Sequence, residues 1–241
     1  MPVRALTIDF WNTMVVSRKN GPRRQAQRIE HLLRVVHAAR PDLSEAVIEE
    51  AYHEASRRFQ ATWRTQHTTP TTSELIHGIW QVLNLTVPEH EHGETVRVFE
   101  EGILFGPPDL AEGLEEALAW AAENYRLGII SDTMFSPGRV IRRLLARRNL
   151  LHFFDAFVFS DETGFSKPDV RAFSQAGTAL GVAEHEIAHI GDLRRTDVAG
   201  ARQAGLKAIL FTGIHEDAEA TPAPDAVLPH WNTLADVLTH L

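Results

Sequence analysis

Short apolar runs separated by amphipathic stretches predict an α/β protein: a doubly wound parallel sheet carrying an inserted all-helical cap domain. Three observations carry that expectation. Residues 1–17 and 105–241 alternate strand-like and helix-like segments, the pattern of βαβ units whose sheet is covered on both faces. Residues 18–104 contain no strand-like run and read as helix throughout. Polar clusters follow the strand-like runs, where a parallel sheet gathers its C-terminal strand ends.

In the alternating part, strands are expected at Ala5–Ile8, Leu127–Ile130, Ala156–Phe159, Ile187–Ile190, Ala208–Phe211 and Ala226–Leu228. Each is a short, dominantly apolar run, as suits a strand buried on both faces. Helices are placed at Leu110–Asn124, Pro137–Asn149, Asp169–Leu180 and Thr196–Ala204, with Trp231–Leu241 closing the chain. Gly181 and Gly205 stand where helix C-termini favour glycine. Within 18–104 the helices fall at Arg23–Ala39, Ser44–Gln66, Thr72–Leu83 and Glu89–Leu104, with breaks at Pro41, Thr69-Pro70 and Pro88. Ile29, Leu32, Leu33 and Val36 recur at helical spacing between Arg and Glu residues. An insertion directly after the first strand sits over the edge where open α/β sheets bind ligands, so a cap or lid is expected.

The bulk numbers narrow the function. At 241 residues, 44% hydrophobic and 23% charged, the chain can bury the core of one domain with an insertion. A net charge of -8 argues against a nucleic-acid partner, which is bound by surplus Lys and Arg. With no cysteine, disulfides, thiolate metal sites and Cys nucleophiles are excluded. No signal-peptide pattern opens the chain and no apolar run reaches membrane-spanning length, so a cytoplasmic location with no membrane partner is expected. The pattern is equally compatible with a monomer and a homodimer.

The chemistry is concentrated in four clusters: Asp9 with Thr13, Ser131 with Asp132, Lys167 ahead of Pro168, and Asp192 with Asp197. One Asp at a strand end is often only a helix N-cap. Four clusters in succession, each after a strand, instead imply convergence. Three gathered carboxylates repel unless a cation compensates, and hard oxygen ligands point to Mg²⁺. Lys167 adds a fixed positive charge, while Ser131 and backbone N–H groups are suited to phosphate oxygens. Together they describe a site for a phosphoryl group, with Asp9 as the in-line nucleophile.

Asp9-Phe10-Trp11-Asn12-Thr13, Leu127–Ser131, Ser166-Lys167-Pro168 and Gly191-Asp192…Asp197 resemble, in order, the four motifs of the haloacid dehalogenase (HAD) superfamily. The resemblance covers essentially the whole chain, and the insertion matches the family's helical cap type. It implies a Rossmann-like core and an aspartyl-phosphate intermediate on Asp9. It also implies Mg²⁺ held by Asp9, Asp192 and the backbone carbonyl of Trp11, with Asp197 in the next shell or close to the metal. Ser131 and Lys167 would bind the phosphate of a small phosphorylated substrate, bordered by Asp132 and Trp11.

Trp11 departs from the family pattern, since phosphatases of the family usually carry Asp there to protonate the leaving oxygen. An indole cannot act as that acid, and losing a positioned acid–base typically costs ~10²–10⁴ in rate. Three readings follow. The first is a phosphatase for good leaving groups such as acyl or aryl phosphates, or one using Asp132 as its proton carrier. The second is a 2-haloacid dehalogenase, whose relatives carry an aromatic residue at this position. Those relatives work without metal and lack the acidic fourth motif, so the retained Asp192 and Asp197 favour phosphoryl chemistry. The third is a weakly catalytic binding or regulatory relative.

Two motifs mislead. His185-Glu186-Ile187-Ala188-His189 matches a zinc-protease pattern but runs into a strand, where both histidines cannot share a helix face. Gly200 to Gly205 with Lys207 is a near miss to a phosphate-binding loop. The thirteen histidines are scattered, many in the helical insertion, and Trp63, Trp80 and Phe99 suit its packing.

Overall fold

The computed structural model describes residues 2–18 and 20–241. Its strands are β1 (Ala5–Ile8), β2 (Val15–Val16), β3 (Asp109–Leu110), β4 (Arg126–Ser131), β5 (Ala156–Phe159), β6 (Ile187–Gly191), β7 (Lys207–Phe211) and β8 (Ala226–Leu228). Six of them form one sheet in the order β5-β4-β1-β6-β7-β8, with every neighbouring pair parallel. The sheet winds outward from β1 in both directions, and its topological switch point lies between β1 and β6.

Strand alternation explains why both faces are covered. Leu6, Ile8, Leu127, Ile129, Ala188 and Ile190 face one apolar cluster with Leu114, Leu118, Val140 and Ile141. Ala5, Ile130, Val158, Ile187 and Ala208 belong to a second cluster with Phe173, Ala176, Leu180 and Ala201. Strands buried on both sides therefore read as continuous apolar runs.

The helices are α1 (Gly21–Ala39), α2 (Glu45–Thr65), α3 (Thr72–Val82), α4 (Glu89–Phe105), α5 (Leu114–Asn124), α6 (Gly138–Arg147), α7 (Ser160–Thr163), α8 (Val170–Leu180), α9 (Ala199–Gln203) and α10 (Leu234–Thr239). Helices α1 to α4 form the expected helical module around Leu32, Val36, Ile48, Ile76, Ile79 and Phe99. A capping box between Thr71 and Glu74 starts α3. Phe135, from the loop after β4, inserts into the core of this helical module and joins it to the sheet domain. Arg139 and Arg143 of α6 pair with Glu100 and Glu101 of α4 across the same boundary.

Three expectations are corrected. Leu110 lies in β3 rather than at the start of a helix: β3 pairs antiparallel with β2, clamping the two strands that lead into and out of the module. Gly113, with φ 76°, then starts α5 from the left-handed region. The helix expected at Thr196–Ala204 is a wide turn over Arg194–Val198 that runs into α9. The closing segment is a tight turn at Trp231–Thr233 followed by α10.

Candidate active site

Asp9 leaves β1 with its N–H bonded to the Ile190 carbonyl at 2.9 Å, which sets it at the C-terminal edge beside β6. Ser131 ends β4, Asp192 follows β6, and Asp197 sits in the wide turn after it. Lys167 lies in the loop after α7, ahead of the cis Lys167-Pro168 peptide bond. Asp9, Trp11, Asp132, Lys167, Asp192 and Asp197 line one cavity of about 410 Å³ at this edge. Ser131 is buried behind it, its hydroxyl 3.5 Å from the Asp132 carbonyl.

Lys167 is the hub. Only 2% exposed, it places Nζ 2.6 Å from Asp9 Oδ1 and 2.6 Å from Asp197 Oδ1. Burial disfavours its charge, but Asp197, Asp9 and Asp132 outweigh that effect and hold it above the usual lysine range.

Asp197 is saturated. Its Oδ1 accepts from Lys167 Nζ and lies 3.0 Å from His189 Nε2, while Oδ2 accepts from Leu193 N and Thr196 Oγ1 at 3.0 and 3.1 Å. These four contacts fill the acceptor positions of a carboxylate, leaving none for a cation. Burial pushes Asp197 up, and the Lys167 charge and the His189 contact overcome it, leaving a net shift below the usual range.

Asp9 and Asp192 are the opposite case. Asp9 Oδ2 has only a long 3.4 Å contact from Thr13 Oγ1, and the nearest base to Asp192 is His215 Nδ1 at 3.5 Å. Burial, opposed by Lys167 and reinforced by Asp197, raises Asp9 to about 7. Burial with the charges of Asp9 and Asp197 raises Asp192 to about 9. Two under-neutralised carboxylates at one cavity suit a hard cation that keeps waters and substrate oxygens in its shell, as Mg²⁺ does. Among the described residues no three His, Asp or Glu side chains form a metal cluster. The expected group of three carboxylates is therefore a pair plus one held by Lys167.

Trp11 packs edge-on against Phe10 at 5.0 Å between ring centroids and forms part of the cavity wall. Asp132 takes the Lys167 N–H on Oδ1 at 2.9 Å and the Trp63 Nε1–H of α2 on Oδ2 at 2.8 Å. Burial raises its pKa. Trp63 is thus more than packing in the module: it reaches the sheet domain, and Arg195 stacks over its ring at 4.1 Å.

Sequence reasoning missed His189, Arg24 and Arg28. His189 bonds Thr7 Oγ1 through Nδ1 at 2.9 Å and belongs to the Asp197 network. The signal was a polar residue in each of two apolar strands at paired positions, Thr7 and His189. His185 is exposed on a short turn, apart from His189, which disposes of the zinc pattern. Arg24 and Arg28 extend the buried face of α1 from Leu32 at i, i+4 spacing and also line the cavity.

Gly191 leaves room for this arrangement, because a Cβ there would collide with the Asp197 carboxylate. Gly191→Ala is expected to displace Asp197 from Lys167, lowering stability by about 1–3 kcal/mol and impairing activity. Urea unfolding and turnover measured together check this, and an unchanged variant refutes it.

A buried carboxylate at the end of the central strand, bonded to a lysine that also holds Asp197 and set beside Asp192 at one cavity, is the kind of site an α/β hydrolase uses. The sequence model of the haloacid dehalogenase-like hydrolases matches residues 3–205, and the chain belongs to that family. It is 37% identical over 100 residues to a glyceraldehyde 3-phosphate phosphatase of Methanothermobacter thermautotrophicus, covering 41% of this chain and 42% of that one. It is 34% identical over 145 residues to a phosphoserine phosphatase of Thermus thermophilus, covering 52% and 58%. The matches thus span about half the length of these relatives. A 2-haloacid dehalogenase from Pseudomonas syringae has the same fold, with TM-score 0.70, 21% identity and 98% of both chains covered. The fold is therefore shared with a dehalogenase, and the chemistry must be argued from the site.

Proposed function

We propose that the chain is a Mg²⁺-dependent phosphohydrolase that works through an aspartyl-phosphate on Asp9 and acts on small phosphorylated metabolites with good leaving groups. One observation carries the reading: an under-neutralised Asp9–Asp192 pair shares a cavity with the Lys167 hub. A dehalogenase, whose substrate is itself a carboxylate, gains nothing from that acidic pair. The phosphatase relatives support the same choice. Residues 1–17 and 105–241 act as the core domain and residues 18–104 as the cap.

In this reading Asp9, Asp192 and the Trp11 carbonyl hold the cation, with Asp197 behind Lys167. When bound, Mg²⁺ supplies charge that offsets the paired carboxylates and the phosphoryl oxygens. An Asp9 oxygen bonds to phosphorus as the phosphorus–leaving-oxygen bond breaks. Lys167 and Ser131 bind the phosphoryl group, Ser131 after its hydroxyl turns from the Asp132 carbonyl. Water then cleaves the acyl phosphate, restoring Asp9 and releasing phosphate. Trp11 offers no acidic proton, so the leaving oxygen departs as the anion or takes a proton from Asp132.

The test is phosphate release with Mg²⁺ across aryl and acyl phosphates of graded leaving-group pKa, beside halide release from 2-chloropropionate. Phosphate release falling steeply with leaving-group pKa is expected. Trp11→Asp should flatten that slope, speeding poor leaving groups by ~10²-fold or more. A flat wild-type profile removes the missing-acid argument, and halide release alone replaces the whole reading.

A further inference from the structure

We infer that Arg24 and Arg28, one turn apart on α1, form a second anion-binding site in the same cavity, so that the substrate is a phosphomonoester bearing another anionic group. The inference rests on the phosphohydrolase reading and narrows its substrate class.

Both arginines are buried, at 7% and 8% exposure, and both line the cavity that holds Asp9. Buried arginines are ordinarily paired with an acid. Even the more exposed Arg139, Arg142 and Arg143 of α6 are each bonded to a glutamate. Among the described residues Arg24 and Arg28 have no carboxylate partner. Arg24 donates to the Gly106 and Ser17 carbonyls at 2.8 and 3.0 Å, while Arg28 donates twice to the Phe99 carbonyl at 3.1 and 2.8 Å. These neutral acceptors fix each fork and satisfy some of its N–H groups, yet they bring no countercharge.

Ring faces complete the positioning. Arg28 lies 4.7 Å from the Phe135 centroid, and Arg24 lies 6.0 Å from that of Trp11, two residues along from Asp9. Burial lowers the pKa of both guanidiniums, and for Arg24 the charge of Arg28 adds to the effect, a cost that a shared anion would reverse. The carboxylates at the sheet edge repel any anionic group not held by Lys167 or a cation. A second anionic group on the substrate is thereby directed to the two forks, whose geometry matches carboxylate and phosphate alike.

The experiment compares kcat/KM, with Mg²⁺, for phenyl phosphate, 4-carboxyphenyl phosphate and 1,4-phenylene bisphosphate. A preference of about tenfold or more for one of the doubly substituted compounds is expected, the scale of one charge-assisted contact. Which of the two is preferred identifies carboxylate or phosphate as the second group. In Arg24→Gln and Arg28→Gln that preference falls toward one, mainly through KM, and the Lys variants keep part of it. Equal kcat/KM for all three in the wild type overturns this inference and leaves the phosphohydrolase reading standing. An unchanged preference in folded Gln variants also overturns it, and the wild-type ratio decides where the variants do not fold. Release from none of the three overturns both.

Discussion

Asp9→Asn is expected to lower phosphate release by roughly 10⁴–10⁶-fold, the scale on which losing a covalent nucleophile acts. The amide keeps the shape of the carboxylate but cannot attack phosphorus, so no acyl phosphate forms. The same substitution reports on stability with a defined sign. Asp9 is raised from 3.8 to about 7 in the folded protein, chiefly by burial. A raised carboxyl binds its proton more tightly when folded, so its contribution is complete below 3.8 and is lost as pH rises toward 7. Asparagine carries no charge to bury. Without added cation, the stability of Asp9→Asn relative to wild type should therefore increase between pH 5 and pH 8. Denaturant unfolding at the two pH values measures this. An inactive variant that gains relative stability marks Asp9 as a residue kept for chemistry; retained turnover removes it as the nucleophile.

The legible part of the molecule was whatever local pattern controls. Ala5–Ile8, Ala156–Phe159 and Ala226–Leu228 are strands at the expected bounds, because an apolar run flanked by polar turns has few other uses in an α/β chain. Asp9 and Asp192 were legible as polar residues directly after strand-like runs, and with Lys167 they line one cavity at that sheet edge. The illegible part depended on contacts between distant residues. Two-residue strands such as β2 and β3 have no periodicity to detect and exist only by pairing with each other. Asp197 resembled a metal ligand in sequence, and only His189, Leu193 and Thr196 around it show that its acceptor positions are used. Arg24 and Arg28 carried no signal in the sequence, since their burial follows from how α1 packs against α4 rather than from their own chemistry.

The second large effect is expected at Lys167. Lys167→Met keeps an unbranched side chain of similar reach in a site with almost no exposure, so packing changes little while the charge disappears. Asp9 and Asp197 then face one another with no cation between them. Removing one partner of a buried ionic cluster typically costs about 3–5 kcal/mol. The pH dependence distinguishes this from simple misfit. In the wild type Asp197 sits below 3.8 because Lys167 and His189 outweigh its burial, so it contributes stability above that pH. Without Lys167 that support is lost, and Asp9, already raised, loses the charge that opposes its burial. Folded-state pKa values move upward, and stability is lost as pH rises through the range between 3.8 and the new values. The deficit against wild type should therefore already exist near pH 4 and grow to its largest near pH 8, with turnover absent throughout. Denaturant midpoints at both ends of that range decide it, since a deficit independent of pH is what misfit alone produces. Lys167→Arg should not rescue the variant: two carboxylate oxygens share a single Nζ at 2.6 Å each, a geometry that a planar guanidinium cannot reproduce in a site this closed.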